Sequence, residues 1–275
     1  MTINCKGNLI DLSTPKVMGV LNLTPDSFYD GGKYKNESDI LSQVYIMLKS
    51  GATFVDIGAY SSRPNATHIE EAEELKRLLP IISLIIKEFP EILISIDTFR
   101  SQVAKHGIEA GAALINDISA GKLDENMLPT IATLKVPYIM MHMKGTPQTM
   151  QQQTDYKNLM KDILFYFSER IAKAHALGII DVIIDPGFGF AKTTEQNFEL
   201  LKHLELLKTL DKAILTGLSR KSMIYKTLKN APKDALNGTT VLNTVALQKG
   251  ASILRVHDVK EAMECVTLLN QLKAV

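Results

Sequence analysis

One pattern recurs eight times along the chain and limits what it can fold into. A short apolar run ends abruptly in a polar side chain, and a helical pattern follows. The clearest instance is Val182-Ile-Ile-Asp-Pro-Gly-Phe-Gly-Phe-Ala-Lys192. Val182, Ile183 and Ile184 read as a strand buried on both faces. Asp185 ends it, and Pro186, Gly187 and Gly189 force a tight loop. Thr193 and Thr194 can cap the next helix, which has a glutamate in its first turn. A carboxylate at the end of an apolar strand is costly to bury alone, so it belongs at a rim, against a ligand, or both. The other seven runs are 17–21, ending in Asn22; 52–55, ending in Asp56 and Gly58; 92–96, ending in Asp97; 112–115, ending in Asn116 and Asp117; 136–141, ending in His142; 213–215, ending in Thr216, Gly217 and Ser219; and 253–254, ending in Arg255 and His257. Eight strands, each trailed by a helix, predict an α/β fold, a (β/α)8 TIM barrel whose site is built from the C-terminal strand ends. Residues 2–12 alternate around Lys6-Gly7-Asn8 and predict a short N-terminal β-hairpin that closes the barrel bottom.

Length and charge narrow the function classes. At 275 residues the chain fits one barrel of roughly 250 residues, and 1–275 reads as a single domain. A net charge of +1 offers no basic field for nucleic acid. The N-terminus lacks the apolar core of a signal peptide. The most apolar helical segment, 78–89, contains Pro80, Lys87 and Glu88 and is too short to span a bilayer. Neither nucleic acid nor a membrane is expected as a partner. Cys5 and Cys265 form no metal spacing and no disulfide framework, so a reducing cytoplasm is the simplest home. Glu70, Glu71, Glu73 and Glu74 open the helix after the second strand; they suit the helix dipole and read as a solvated face.

Three strand ends carry the chemistry. Asp97, Asn116 and Asp185 would point hydrogen-bonding groups into one mouth. A carboxylate matches the two adjacent N–H donors of an aminopyrimidinone edge, and the Asn116 amide suits a ring with alternating nitrogens. Lys221 could satisfy a buried carboxylate and also donate to a heterocycle. Arg255 is a planar, always-charged fork suited to phosphate oxygens or to stacking, and His257 adds a donor. Loops after strands seven and eight commonly form anion sites in this fold. The Asn22 amide oxygen is a hard ligand suited to Mg2+, which leans on substrate phosphates. Arg63 lies where a mobile cation could meet a departing anion. Phe188 and Phe190 offer apolar contact at the mouth, and one methionine of the 140–143 run could wall a flat ring. His142 has no partner at metal-ligand spacing, which disfavours a zinc hydrolase. Gly187-Phe-Gly189 is no dinucleotide fingerprint, and Gly217-Leu-Ser219 is no nucleophile elbow.

Together these segments resemble the dihydropteroate synthase family. The resemblance rests on the 18–32 stretch Met-Gly-Val-Leu-Asn-Leu-Thr-Pro-Asp-Ser-Phe-Tyr-Asp-Gly-Gly, on Ile94-Ser-Ile-Asp-Thr98 and on Ile115-Asn-Asp-Ile118. It continues in Met141-His-Met-Lys-Gly145 with Thr149-Met-Gln151, in Asp185-Pro-Gly-Phe-Gly-Phe190, in Gly217-Leu-Ser-Arg-Lys-Ser222 and in Arg255-Val-His-Asp258. It implies condensation of 7,8-dihydropterin-6-ylmethyl diphosphate with 4-aminobenzoate to 7,8-dihydropteroate and pyrophosphate, with Mg2+ as cofactor, and a sulfonamide target. It further implies that Asp97, Asn116, Ile118, Met141, Asp185, Phe190, Gly217, Lys221 and Arg255 bind the pterin. Asn22, Arg63, Arg255 and His257 would handle the diphosphate, Asn22 through the metal. Thr24, Pro25, Phe28, Ser62, Pro64, Phe190, Lys221 and Ser222 would form the aminobenzoate pocket. Asp97, Lys221 and Arg63 are the expected catalytic residues, and the family is commonly homodimeric.

One segment departs from the family pattern. Where Gly-Gly-Glu-Ser-Thr-Arg-Pro-Gly is usual, the chain reads Gly58-Ala-Tyr-Ser-Ser-Arg-Pro-Asn65. Tyr60 replaces the glutamate, Ser62 the threonine and Asn65 the last glycine. A pterin-binding methyltransferase domain would share the barrel but not need Arg63, Lys221, Arg255 and His257 as a diphosphate site. A catalytically silent barrel would be favoured by loss of Asp97, Asn22 or Lys221, and none is lost.

Overall fold

The structure, a computed structural model, describes residues 1–23, 37–60 and 68–274. Ten strands are assigned among them: β1 (Thr2–Cys5), β2 (Asn8–Asp11), β3 (Lys16–Asn22), β4 (Phe54–Gly58), β5 (Leu93–Asp97), β6 (Leu114–Asp117), β7 (Tyr138–Met141), β8 (Val182–Asp185), β9 (Ala213–Thr216) and β10 (Ile253–Val256). Strands β3 to β10 close into a barrel with every neighbouring pair parallel, β10 meeting β3. The helices between them are α1 (Glu37–Lys49), α2 (Glu71–Glu88), α3 (Ser101–Glu109), α4 (Met127–Leu134), α5 (Leu159–Ala176), α6 (Thr194–Lys202), α7 (Ser222–Thr227) and α8 (Leu236–Gln248), and α9 (Val259–Ala274) ends the chain. The barrel and hairpin predicted from the sequence are both present.

Side-chain alternation sorts each barrel strand into two faces. Val17, Val55, Ile57, Ile94, Ile96, Ile115, Met140 and Ile184 pack outward in the core shared with the helices. Met18, Phe54, Leu114, Ile139, Ile183, Leu215 and Ile253 form a separate interior cluster. Ile3, Cys5 and Leu12 from the hairpin join that interior cluster, so β1 and β2 plug the bottom of the barrel. The hairpin turns through Lys6 and Gly7, both at positive φ, the geometry of a two-residue turn matched to strand twist. Two residues further along the same inward face, β4, β6, β8 and β10 switch from apolar to polar, at Asp56, Asn116, Asp185 and Arg255. That switch makes the mouth.

The helix caps follow local chemistry. Thr193 caps α6 in a capping box with Gln196, each side chain bonding the other's backbone N–H. Gly178 follows the end of α5 at φ +80°, a left-handed stop that glycine adopts without a Cβ penalty. No described helix is long and apolar enough to cross a membrane.

Candidate active site

The inward parity of β4, β5, β6 and β10 brings four polar side chains into one network. Arg255 Nη2 donates to Asp97 Oδ2 at 2.7 Å, and its Nε donates to Asp56 Oδ2 at 2.6 Å. Asn116 Nδ2 donates to the same Asp56 oxygen at 3.1 Å. Asp97 and Asn116 are register partners across β5 and β6. Two carboxylates thus share one guanidinium. Burial works against the charge of Arg255, but Asp56 and then Asp97 hold it protonated beyond its ordinary range. Burial pushes the Asp97 carboxyl up to about 7, with Arg255 opposing and Asp56 adding to the rise.

Asp185 ends β8 opposite Met141, its register partner on β7. Its Oδ1 accepts the Gly187 N–H at 2.8 Å. Burial raises its carboxyl, opposed by Lys221, the Gly187 N–H, Arg255 and Lys192. Burial lowers Lys221 to about 8, against the attraction of Asp185. The Lys221 ammonium donates to the Phe188 carbonyl and stands 4.8 Å from the centre of the Phe190 ring. Ile118 and Met141 form an apolar wall with Met143, Met150 and Ala191, and Phe190 packs against it. A Cβ on Gly217 would come within 3.8 Å of Lys221 Nζ, so this glycine also borders the site. On the other rim, Ser219 Oγ lies 3.0 Å from His257 Nδ1. Arg220 beside it grips Asp258 with two bonds of 2.8 Å, joining the loops that follow β9 and β10. Ser222 opens α7 directly after Lys221, and Asn22 ends β3 beside Gly58 of β4.

The sequence-predicted residues Asn22, Asp97, Asn116, Ile118, Met141, Asp185, Phe190, Gly217, Lys221, Ser222, Arg255 and His257 all lie at this end of the barrel. Thr24, Pro25, Phe28, Ser62, Arg63 and Pro64 fall outside the described residues, as does Asn65.

Three residues at or beside the mouth escaped the sequence reading. Asp56 is wholly buried and ties Asn116 to Arg255. Lys192 is buried against His142 and the 186–191 turn. Glu74 corrects an expectation, for it is not part of a solvated face. It is 1% exposed, accepts from Thr98 Oγ1 at 2.8 Å and pairs with Arg100 at 2.6 Å. A buried acid persists with such partners. Arg100 also donates to the Ile69 carbonyl at 2.6 Å and stands 5.3 Å from the Tyr60 ring. It therefore touches both chain ends that flank residues 61–67. The departure at Tyr60 is accommodated in this way: its ring packs edge-on to Phe99 at 5.0 Å, and its hydroxyl accepts from Gln148 at 3.1 Å.

Comparison with known proteins agrees with this geometry. A family profile described as pterin binding enzyme matches residues 18–257. Dihydropteroate synthase of Escherichia coli is 38% identical over 98% of this chain and 95% of its own length. That of Synechocystis is 45% identical over 90% of this chain and 86% of its own. The crystal structure of Yersinia pestis dihydropteroate synthase in a sulfonamide drug complex superposes with a TM-score of 0.96 at 39% identity, covering all of both chains. With a polar mouth of this composition on a barrel of this topology, the chain belongs to the dihydropteroate synthase family of pterin-binding enzymes.

Proposed function

We propose that this chain condenses 7,8-dihydropterin-6-ylmethyl diphosphate with 4-aminobenzoate, releasing 7,8-dihydropteroate and pyrophosphate, at the mouth formed by β3 to β10. The observation that carries the reading is the convergence of Asp97, Asn116 and Asp185 with Arg255 and Lys221 on one face. Asp185 and Asn116 supply in-plane acceptors and a donor for the edge of the heterocycle. Ile118, Met141 and Phe190 wall its faces. Lys221 donates to the ring from the side of Asp185, and Gly217 leaves room beside that ammonium. Arg255, immobilised by Asp56 and Asp97, offers a fixed planar surface and a cation near the leaving group.

The bond from the pterin methylene to the diphosphate oxygen breaks first, and its electron pair leaves with the pyrophosphate. The methylene cation is stabilised by electron donation from the ring and by the Asp97 carboxylate. The aminobenzoate nitrogen then forms the new C–N bond and loses its proton. No protein nucleophile is needed, only charge in the right places and exclusion of water. His257 and Arg63 hold the departing anion in this reading. Thr24, Pro25, Phe28, Ser62, Pro64 and Ser222, with Phe190 and Lys221, take the aminobenzoate.

Mg2+ fits the donor set. Among the described residues no three carboxylate, imidazole or thiol groups converge as metal ligands. The Asn22 amide would be one hard ligand, with water and diphosphate oxygens completing the shell. Held there, its charge would neutralise the diphosphate and make it a better leaving group. Homodimer formation belongs to the same proposal: α8 and α9 leave Val241, Leu268 and Leu272 exposed. So does a cytoplasmic location, supported by two free, buried cysteines.

The test is direct. Both substrates are supplied with and without Mg2+, and dihydropteroate and pyrophosphate are quantified. Equimolar appearance of the two products supports the reading. Pyrophosphate release that does not depend on the amine, or no product at all, overturns it.

A further inference from the structure

The buried lysine that the mechanism leaves unused is Lys192. It is 5% exposed and closes the stretch that carries Asp185. Its Nζ lies 3.0 Å from each of three acceptors: His142 Nδ1, the Gly187 carbonyl and the Phe190 carbonyl. An ammonium donates three hydrogen bonds, and here all three are placed. Each acceptor leads to the site. Gly187 accepts from Lys192 through its carbonyl and donates through its N–H to Asp185 Oδ1 at 2.8 Å. Phe190 carries the ring that faces Lys221. His142 donates its own backbone N–H to the Asp185 carbonyl, at 2.9 Å.

The turn is tightly constrained around that ammonium. Gly187 sits at φ +69°, and a Cβ there would lie 2.2 Å from the His142 carbonyl oxygen. Asn197 Oδ1 accepts the Gly189 N–H at 2.6 Å, holding the turn from α6. The charged and titratable groups facing Lys192 are Asp185 from β8, His142 and Lys144 beyond β7, and Lys221 beyond β9; Arg255 of β10 faces Asp185. Burial lowers Lys192 to about 7, and Asp185 opposes that fall.

We propose that Lys192 is a positioning residue for the heterocycle site. Its ammonium pins the 186–191 turn, and with it the Asp185 carboxylate and the Lys221 ammonium, in the geometry that receives the ring. The proposal rests on the pterin reading of the mouth and adds to it a residue that touches no substrate. Lys192 also supplies one of the cations that keep Asp185 ionised, so removing it has an electrostatic consequence as well as a geometric one.

The experiment is calorimetric titration of the full chain with 6-hydroxymethylpterin over a pH series that spans the Lys192 value of about 7 on both sides. Wild-type binding is measured first; its absence would sink the pterin reading, and this proposal with it, whereas wild-type binding with no effect in the variants would sink this proposal alone. Lys192→Met is expected to weaken binding about tenfold at neutral pH and below, where the ammonium persists, and less at the alkaline end, where the wild-type lysine has itself lost its proton. It is also expected to move upward the pH below which binding fades, because Asp185 has lost a cation and protonates more readily. Asn197→Ala loosens the same turn without touching a charge. It should weaken binding and leave that pH unchanged. Thermal melting followed by circular dichroism establishes that each variant is folded. A folded Lys192→Met protein with affinity within about twofold of wild type at neutral pH, or with the same loss at every pH, overturns the proposal. Should that variant fail to fold, unchanged pterin affinity in Asn197→Ala overturns it alone.

Discussion

Asp97→Asn is the substitution in which stability and activity should move in opposite directions. Asp97 shares the Arg255 guanidinium with Asp56, at 2.7 and 2.6 Å. One cation between two carboxylates leaves an excess negative charge in a site shielded from water. The Asp97 carboxyl is pushed up to about 7 by burial and by Asp56, against Arg255. Its value in an unfolded chain is about 3.9. A rise of about three units, at about 1.4 kcal/mol each, sets an upper bound of about 4 kcal/mol on the cost of ionising Asp97 in the fold. Because the folded value is the higher one, the stability that this group contributes is complete below about pH 4 and lost as pH rises through about 7. Asparagine imitates the uncharged acid at every pH. The variant is therefore expected to match the wild type near pH 4 and to exceed it by about 1–3 kcal/mol near pH 8, the bound being reduced for a side chain one-fifth exposed. Urea unfolding at both pH values measures this. The same change removes the carboxylate assigned to the pterin cation, and turnover should fall by at least about a hundredfold. An equal difference at both pH values would refute the electrostatic argument. Undiminished turnover would refute the role given to Asp97.

Three further outcomes follow from the geometry. Glu74→Ala strands Arg100 and should cost about 3–5 kcal/mol in urea unfolding at neutral pH, most of it recovered in the double variant with Arg100→Met; no recovery would show that the pair is not the source. Gly187→Ala forces a Cβ onto the His142 carbonyl at positive φ, and a loss of about 2–4 kcal/mol is expected together with weaker pterin binding. Chelation of Mg2+ should raise KM for the pterin diphosphate by about tenfold or more while leaving affinity for a pterin without the diphosphate unchanged, measured by pyrophosphate release and calorimetry respectively.

The barrel was legible in the sequence because a parallel strand buried on both faces writes itself as an unbroken apolar run with a polar terminus. Asp97, Asn116, Asp185 and Arg255 were legible for the same reason: each is the polar residue that stops such a run. Asp56 also stops such a run, but nothing near it in the chain marked it as part of the site: β4 continues past it to Gly58, and its ion-pair partner Arg255 is 199 residues away. Parity with Phe54, which faces the barrel interior, was the one signal available. Glu74 was masked by its neighbours, since four glutamates at a helix start look alike. Yet Glu74 lies one turn before Leu78 and two before Ile82, on the face that α2 buries. Lys192 gave no signal, because two of its acceptors are backbone carbonyls, which carry no side-chain mark, and the third, His142, is fifty residues away in the chain.

The three escaped residues share a property that explains the mouth. Asp56, Glu74 and Lys192 are buried charges, and each is held by partners that also hold a residue facing the site: Asp56 through Arg255 and Asn116, Glu74 through Thr98 beside Asp97, Lys192 through Gly187 beside Asp185. A fold optimised only for stability would replace such pairs with apolar side chains, often at no loss. Their retention fits a site where groups must stay within a fraction of an ångström of the geometry a rigid heterocycle requires. Long apolar side chains can repack around a vacated volume; a carboxylate between two directed donors has one position. In the proposed reading, the charged layer beneath the mouth would therefore fix the angles at which Asp97, Asn116, Asp185 and Lys221 meet the ring, and the free protein would bear an electrostatic cost that the bound ring relieves.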